Sequence, residues 1–349
     1  MRSYPFLFHP NLHSVVWGGH QLQPYKGLQT TDEPIGESWE VSAVPTSTSI
    51  IANGPLVGRD LVSVISEYPE AILGKAVNEK YKGQLPLLVK FIDAKRDLSI
   101  QVHPNDEMAQ REHGKMGKSE MWYIIKADAG AHLYAGFKQQ ITPEEYQQRI
   151  QDGTITEVLA DHQVKAGDVF YLPAGRVHAI CGGILLAEVQ QSSDVTYRIY
   201  DYNRPGMDGK PRELHTELAA KALDYHVERN YRTEYVENTN RAIQVIDTPY
   251  FDVRVMEISK SFHRDLRKYD SFIISMCIAG DCRIKVRSTG DEILLEEGHS
   301  TLIPACIADY DVLPLHGTTR LLDAFIDNQE SGMKDIFTKF FHRTTPSKL

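Results

Sequence analysis

The sequence predicts a mainly β protein with small helical insertions, on three observations. Leu98, Ile100 and Val102 alternate with Ser99, Gln101 and His103, the period of two that sends one set of side chains into a core and the other to the opposite face. The stretch from Gly36 to Gly58, GESWEVSAVPTSTSIIANGPLVG, is rich in β-branched residues and broken by Pro45 and by Asn53-Gly54-Pro55, which favours short strands and turns over helix. Helical spacing, by contrast, is confined to short segments between such stretches.

A chain of 349 residues has room for about two domains, each with its own core. The formal charge of −9 argues against nucleic acid or an anionic membrane as a general partner, and obliges any anionic small substrate to find a local basic pocket. The opening residues MRSYPFLFHPNLHS carry no long apolar segment, and no run approaches the roughly 18–20 residues of a bilayer span, so a cytoplasmic location is expected. Cys181, Cys277, Cys282 and Cys306 are scattered without a CxxC pair. They read as reduced structural residues.

Near the N-terminus, Trp17 and Trp39 read as core or rim packing. From Leu61 to Lys82, the residues Leu61, Val62, Ile65, Tyr68, Ala71, Ile72 and Leu73 recur near helical spacing with an interruption at Pro69. A pair of short helices is expected there, inside an insertion of about residues 56–82. The stretch Leu85 to Ile125 organises the rest. Gln101 and His103 share a face of one strand, a turn-rich connection with Pro104, Asn105, Gly114 and Gly117 follows, and Glu120 then opens the apolar run Met121 to Ile125. An imidazole, an amide oxygen and a carboxylate at the ends of neighbouring strands can close on one divalent cation.

Thr142, Pro143 and Glu145 match an N-cap, a first-turn proline and a capping-box acid, so a helix starts there, in an insertion spanning about 141–160 with Gly153 dividing two short helices. Residues Lys165 to His178 read as a turn, an apolar strand ending near Leu172, a second turn and a histidine returning into the same sheet. Two further strands, Ile184 to Val189 and Val195 to Tyr200, place Glu188 and Arg198 in or beside the sheet. HTELAAKALDY after Glu213 is helical in composition, and the region up to about Asn240 reads as charged connection. A second strand-rich unit follows from about Ile243, dividing the chain into residues 1–240 and 241–349. From Gln329 the tail reads as helical at first and frays at its end.

Gly167, Pro173, Gly175 and His178 match in spacing the second signature motif of the cupin barrels; the asparagine that often follows is Gly182 here. GESWEVS at Gly36, ANGPL at Ala52, LSIQVHP at Leu98, GKSEMWYI at Gly117, PAGRVHAI at Pro173 and TYRIYDYNR at Thr196 together resemble the type I mannose-6-phosphate isomerases in their short bacterial form. The resemblance covers positions 17 to 204. It implies two cupin-type, jelly-roll barrels and a single zinc ion held by Gln101, His103, Glu120 and His178. In the second barrel Gly298 and Pro304 echo the turn, but Ala305 to Asp309 offer no histidine, so that barrel is expected to be metal-free.

The implied reaction interconverts D-mannose 6-phosphate and D-fructose 6-phosphate. Moving the proton from C2 to C1 through an enediol builds negative charge on O1 and O2, which a divalent cation offsets without a change of oxidation state. Arg198 matches the family's catalytic arginine, suited to enediolate oxygens or phosphate because it stays charged. Lys118, two residues before the metal carboxylate, takes phosphate or a proton. Glu188 has a carboxylate suited to act as the C2 base if its pKa is tuned, or else is a buried partner of Arg198. Arg204, where relatives often carry lysine, adds positive charge near the phosphate. A monomer or homodimer acting on a sugar phosphate, with no nucleic acid or membrane partner, is the expectation. The alternatives are a non-catalytic metal-containing cupin that binds or senses sugar phosphates, and an iron cupin oxygenase, which Gln101 in place of a histidine disfavours. A bifunctional guanylyltransferase-isomerase is disfavoured because no Gly-rich nucleotide loop precedes the barrel.

Overall fold

The computed structural model describes residues 3–327. Two pairs of facing antiparallel sheets carry the architecture. In the first unit a seven-stranded sheet runs in the order Arg232–Thr233, Val169–Leu172, Glu120–Ala127, Ile184–Gln191, Leu87–Ala94, Leu12–Gly19 and Ile35–Val41. Facing it is a five-stranded sheet, Tyr197–Tyr200, Ile100–Val102, His178–Ile180, His132–Phe137 and Leu159–Gln163. In the second unit a six-stranded sheet (Phe6–Leu7, Ser300–Ile303, Ile273–Ala279, Thr319–Phe325, Asp252–Ile258, Ala242–Asp247) faces a four-stranded one (Phe262–Asp265, Asp309–Pro314, Cys282–Val286, Glu292–Leu295). Phe6–Leu7 pairs with Ser300–Ile303, so the first strand of the chain lies across residue 240 from the unit in which the sequence reading puts it.

Alternation decides which faces are buried. Trp17, Ile92, Trp122, Ile124, Phe170 and Leu186 from the large sheet meet Leu133, Ala135 and Ile180 from the small one, filling one end of the first unit. The opposite face of the large sheet carries Val89, Phe91, Met121, Tyr123, Ala187 and Val189, which pack on Val253, Val255, Ile274, Met276 and Leu322 of the second unit. Because both faces are covered, Leu87–Ala94 is buried along its whole length, and it reads as a nearly unbroken apolar run. Tyr146, Ile155, Ala219 and Leu223 from the helical segments cover the outer face of the five-stranded sheet against Ile100, Val102 and Tyr197.

The register sets up the site. His178 lies opposite Gln101, and Gln101 opposite Arg198; on the facing sheet Trp122, Glu188, Lys90 and Trp39 form one row, with Glu120 opposite Gln190 in the next. Directly opposed residues share a face, so these rows look across the interior at one another.

Several expectations are corrected. The turn-rich connection after His103 contains a helix, Asp106–His113, capped by Asn105, whose side chain accepts from the Met108 N–H at 2.9 Å, and closed by Gly114 at φ 65. Only Met108 and Ala109 of it are buried, too sparse an apolar stripe to be read as periodic. Between Leu61 and Tyr81 there are three short helices rather than two, Leu61–Glu67, Pro69–Leu73 and Lys75–Tyr81, since Gly74 at φ 88 divides the second predicted segment. The helix predicted from Thr142 forms as Pro143–Gln151, with Thr142 capping Glu145; beyond Gly153 the chain makes a 3-10 turn, Ile155–Val158, rather than a second α-helix. The strand opened by His178 enters the facing sheet and not the sheet of Val169–Leu172. The crossing is made by a turn in which Gly175, at φ 91, donates its N–H to the His103 carbonyl at 2.9 Å. Within the charged connection up to Asn240, Arg232–Thr233 pairs as an edge strand with Val169–Leu172. The predicted tail helix from Gln329 lies outside the described residues.

Inside the second unit Arg264 reaches across from the small sheet to Asp323 of the large one at 2.8 Å, both buried, with Ser275 Oγ donating to Asp323 at 2.7 Å. Removing one partner strands a buried charge. Asp323→Ala is therefore expected to cost about 3–5 kcal/mol in chemical denaturation; a loss under about 1 kcal/mol would show that the guanidinium finds water instead.

Candidate metal centre

His103, Glu120 and His178 are the one set of three metal-ligating side chains that the described residues bring together, with one ligand atom from each within 4.8 Å of the others. All three are buried, Glu120 completely. Each ring is fixed from behind: His103 Nδ1 donates to the Val195 carbonyl at 2.9 Å and His178 Nδ1 to the Arg176 carbonyl at 2.8 Å. Because a carbonyl only accepts, the proton sits on Nδ1 and the Nε2 lone pair faces the site, the tautomer a metal ligand needs.

The three groups are close enough to converge on one small cation, each imidazole beside its own carboxylate oxygen. His103 Nε2 is 3.4 Å from Glu120 Oε2, and His178 Nε2 is 3.3 Å from Glu120 Oε1. Both Glu120 oxygens are buried without a well-directed hydrogen bond; the Lys118 ammonium 2.8 Å from Oε2 offsets part of that cost, and a further cation would offset the rest. Gln101 stands beside them with its Nε2 3.3 Å from His178 Nε2, while its Oε1 accepts from Ser99 Oγ at 3.3 Å. To serve as a ligand the amide turns over and brings its oxygen inward.

Electrostatics hold these groups in the ligating state. Burial, followed by the Lys118 ammonium, pushes His103 down to about 3, and burial also lowers His178. Burial acts to raise Glu120, but Lys118 and the two histidines outweigh it and hold the carboxyl well below the usual range. Lys118 Nζ is 2.8 Å from Glu120 Oε2 and 3.1 Å from His103 Nε2. It is buried against His103 and Glu120.

The facing row supplies a second charged wall. Trp122 Nε1 donates to Glu188 Oε2 at 2.9 Å, and Lys90 Nζ lies 3.4 Å from Glu188 Oε1 and 3.7 Å from Glu37 Oε1. Burial, then the Glu120 charge, raises the Glu188 pKa. Burial opposes the charge on Lys90, but Glu37, Glu188 and Glu120 together keep it protonated more firmly than an ordinary lysine. Glu188 is therefore partnered by Lys90 and Trp122, not by Arg198 as the alternative reading had it. Trp17 is in the core. Trp39 sits at the rim, its indole N–H on Glu37 at 2.7 Å and the Lys90 ammonium 4.8 Å from its ring centre.

Arg198 extends from the strand beside Gln101 and donates through Nη1 to the Glu213 carbonyl at 2.8 Å. Arg204 lies six residues on, bonded to Asp201. Sequence reading missed Lys90, Glu37 and Arg212. Lys90 had a legible signal, a lone charge inside the apolar run LLVKFI, since a lysine is rarely buried there without a partner. Glu37 shares the GESWEVS segment with Trp39, but nothing in spacing assigns it to Lys90.

Residues 6–124 match the model of the phosphomannose isomerase type I catalytic domain. A probable mannose-6-phosphate isomerase of Bacillus subtilis (strain 168), GmuF, is 35% identical over 313 residues, 89% of this chain and 96% of that protein. The mannose-6-phosphate isomerase of Streptococcus mutans is 33% identical over 88% of this chain and 94% of its own length. The crystal structure of the mannose 6-phosphate isomerase from Bacillus subtilis superposes with a TM-score of 0.82 at 32% identity, covering 93% of this chain and 99% of that one. With relatives matched almost end to end and the buried His-Glu-His set in the first of its two cupin units, the chain belongs to the type I phosphomannose isomerase family, the aldose-ketose isomerases.

Proposed function

We propose that the chain interconverts D-mannose 6-phosphate and D-fructose 6-phosphate with one zinc ion, held by His103, Glu120, His178 and Gln101. The observation that carries this reading is the convergence of two neutral imidazoles on a buried, ionised carboxylate, 3.4 and 3.3 Å from its two oxygens. One carboxylate and two imidazoles suit zinc, with a neutral amide completing the set. Bound there, the ion supplies charge neutralisation for the enediol oxygens.

The remaining steps fall to side chains. Glu188 carries the proton between C2 and C1: its raised pKa brings it closer to that of a base working near neutral pH, and the Trp122 N–H fixes its orientation. Lys90, held charged between Glu37 and Glu188, offsets charge that develops on that side of the sugar. Lys118 steadies Glu120 and is placed to give a proton to a sugar oxygen. Arg198 and Arg204 hold the phosphate end. No described helix is long and apolar enough to cross a membrane.

Three experiments test this. In a coupled assay for fructose 6-phosphate, activity should vanish on chelation and return with zinc, together with a rise in Tm as metal binds the folded chain; zinc-loaded, folded protein without turnover would sink the reading for this substrate. Glu120→Gln should fail to retain zinc through gel filtration, because the amide lacks the charge that binds the cation; wild-type stoichiometry in that variant would remove Glu120 from the ligand set. Glu188→Gln should keep its zinc and lose about 10²–10⁴-fold in kcat, whereas a loss confined to KM would reassign Glu188 to substrate binding.

A further inference from the structure

The segment after the Arg198 strand gathers three guanidiniums around one carboxylate. Asp201 is only 5% exposed. Its Oδ1 accepts from Arg204 Nε at 3.1 Å, Arg204 Nη2 at 2.8 Å and Arg212 Nη2 at 2.6 Å, and its Oδ2 from Arg212 Nε at 2.7 Å. The loop between them folds back on itself through a bridge between Pro205 and Pro211 and a bond from Gly206 N–H to the Lys210 carbonyl at 2.7 Å. That turn returns Arg212 to the carboxylate beside Arg204. Arg198 stands next to them, with its backbone N–H on His215 Nδ1 at 3.3 Å and its Nε buried and unpartnered.

The charges do not balance. Three guanidiniums outnumber the carboxylates of Asp201 and Glu213 that act on them, a local positive charge in a chain whose total is −9, and burial, then Arg212 and Arg204, depresses the Arg198 pKa against the pull of the two acids. Such a cluster is unfavourable by itself and favourable once a dianion joins it. Arg204 and Arg212 each commit Nε and Nη2 to Asp201, and among the described residues Nη1 of neither has a hydrogen-bond partner. The two remaining Nη1 groups beside the unpartnered Arg198 Nε are donors that a phosphate monoester can engage.

We propose that Arg212 is a third phosphate-binding residue beside Arg198 and Arg204, and that Asp201 is the positioning residue that aims both loop arginines into one subsite for a sugar-phosphate dianion. The assignment rests on the isomerase reading for its substrate, but the anion site can be tested without turnover.

The experiment titrates the zinc-loaded full chain with inorganic phosphate by calorimetry and measures KM and kcat for mannose 6-phosphate in parallel. Arg212→Gln should weaken inorganic phosphate and raise KM by about tenfold each, with kcat within about threefold; because it also removes two hydrogen bonds from the buried Asp201, Tm should fall, and binding is compared where circular dichroism shows both proteins folded. Arg212→Lys should recover part of the loss, because it restores the charge without the fork. Asp201→Asn separates aim from charge: it makes the cluster more positive, yet phosphate binding should weaken. Phosphate binding that is the same in wild type and Arg212→Gln overturns the role of Arg212, and tighter binding in Asp201→Asn overturns that of Asp201. Wild-type protein that binds phosphate through Arg212 but turns over no mannose 6-phosphate leaves the subsite standing and removes the substrate reading. Normal turnover with Arg212-independent phosphate binding does the reverse.

Discussion

A fully buried carboxylate, Glu120, is the constraint on which the rest of the first unit depends. An ionised side chain in such a place is expensive without cations close by, and every neighbour is arranged around that fact. Lys118 lies against one oxygen, two imidazoles face the pair, and each imidazole is anchored by a backbone carbonyl behind it. The anchoring carbonyls belong to Val195 and Arg176, so the tautomer of the His103 ring is set by a connection distant in sequence and that of His178 by the turn just before its own strand.

The same logic extends across the interior. Glu188 and Glu37 are two further acids on the facing wall, and Lys90 between them is the compensating charge. Glu120 pushes Glu188 toward the protonated form while Lys90 resists, which leaves one carboxylate firmly ionised and the other closer to neutrality. Environments that separate the pKa values of two nearby acids suit them to different tasks.

The second unit contributes by what it covers. Its large sheet buries the outer face of the catalytic sheet over an extended apolar core, so that the strands bearing Glu120, Glu188 and Lys90 are packed on both sides and their inner rows stay aligned. Within its own interior a guanidinium, Arg264, meets Asp323 across the two sheets. A fixed side-chain cation there links the two sheets of the unit from within.

The sequence by itself determined the local pattern: the alternation that puts Gln101 and His103 on one face, the capped helix after Thr142, and motifs at Gly117 and Pro173 whose spacing marks Glu120 and His178. These are properties of neighbours along the chain: period and turn chemistry read the first two directly, and the resemblance to a known family supplied the third. Only the tertiary structure decided that the strand of His178 crosses to the facing sheet, that Glu188 answers to Lys90 and not to Arg198, and that Asp201 gathers Arg204 and Arg212. Each of these is a choice of partner among residues distant in sequence. Burial makes that choice, since a charge removed from water must be met by whatever the fold brings beside it, and spacing along the chain carries no record of that.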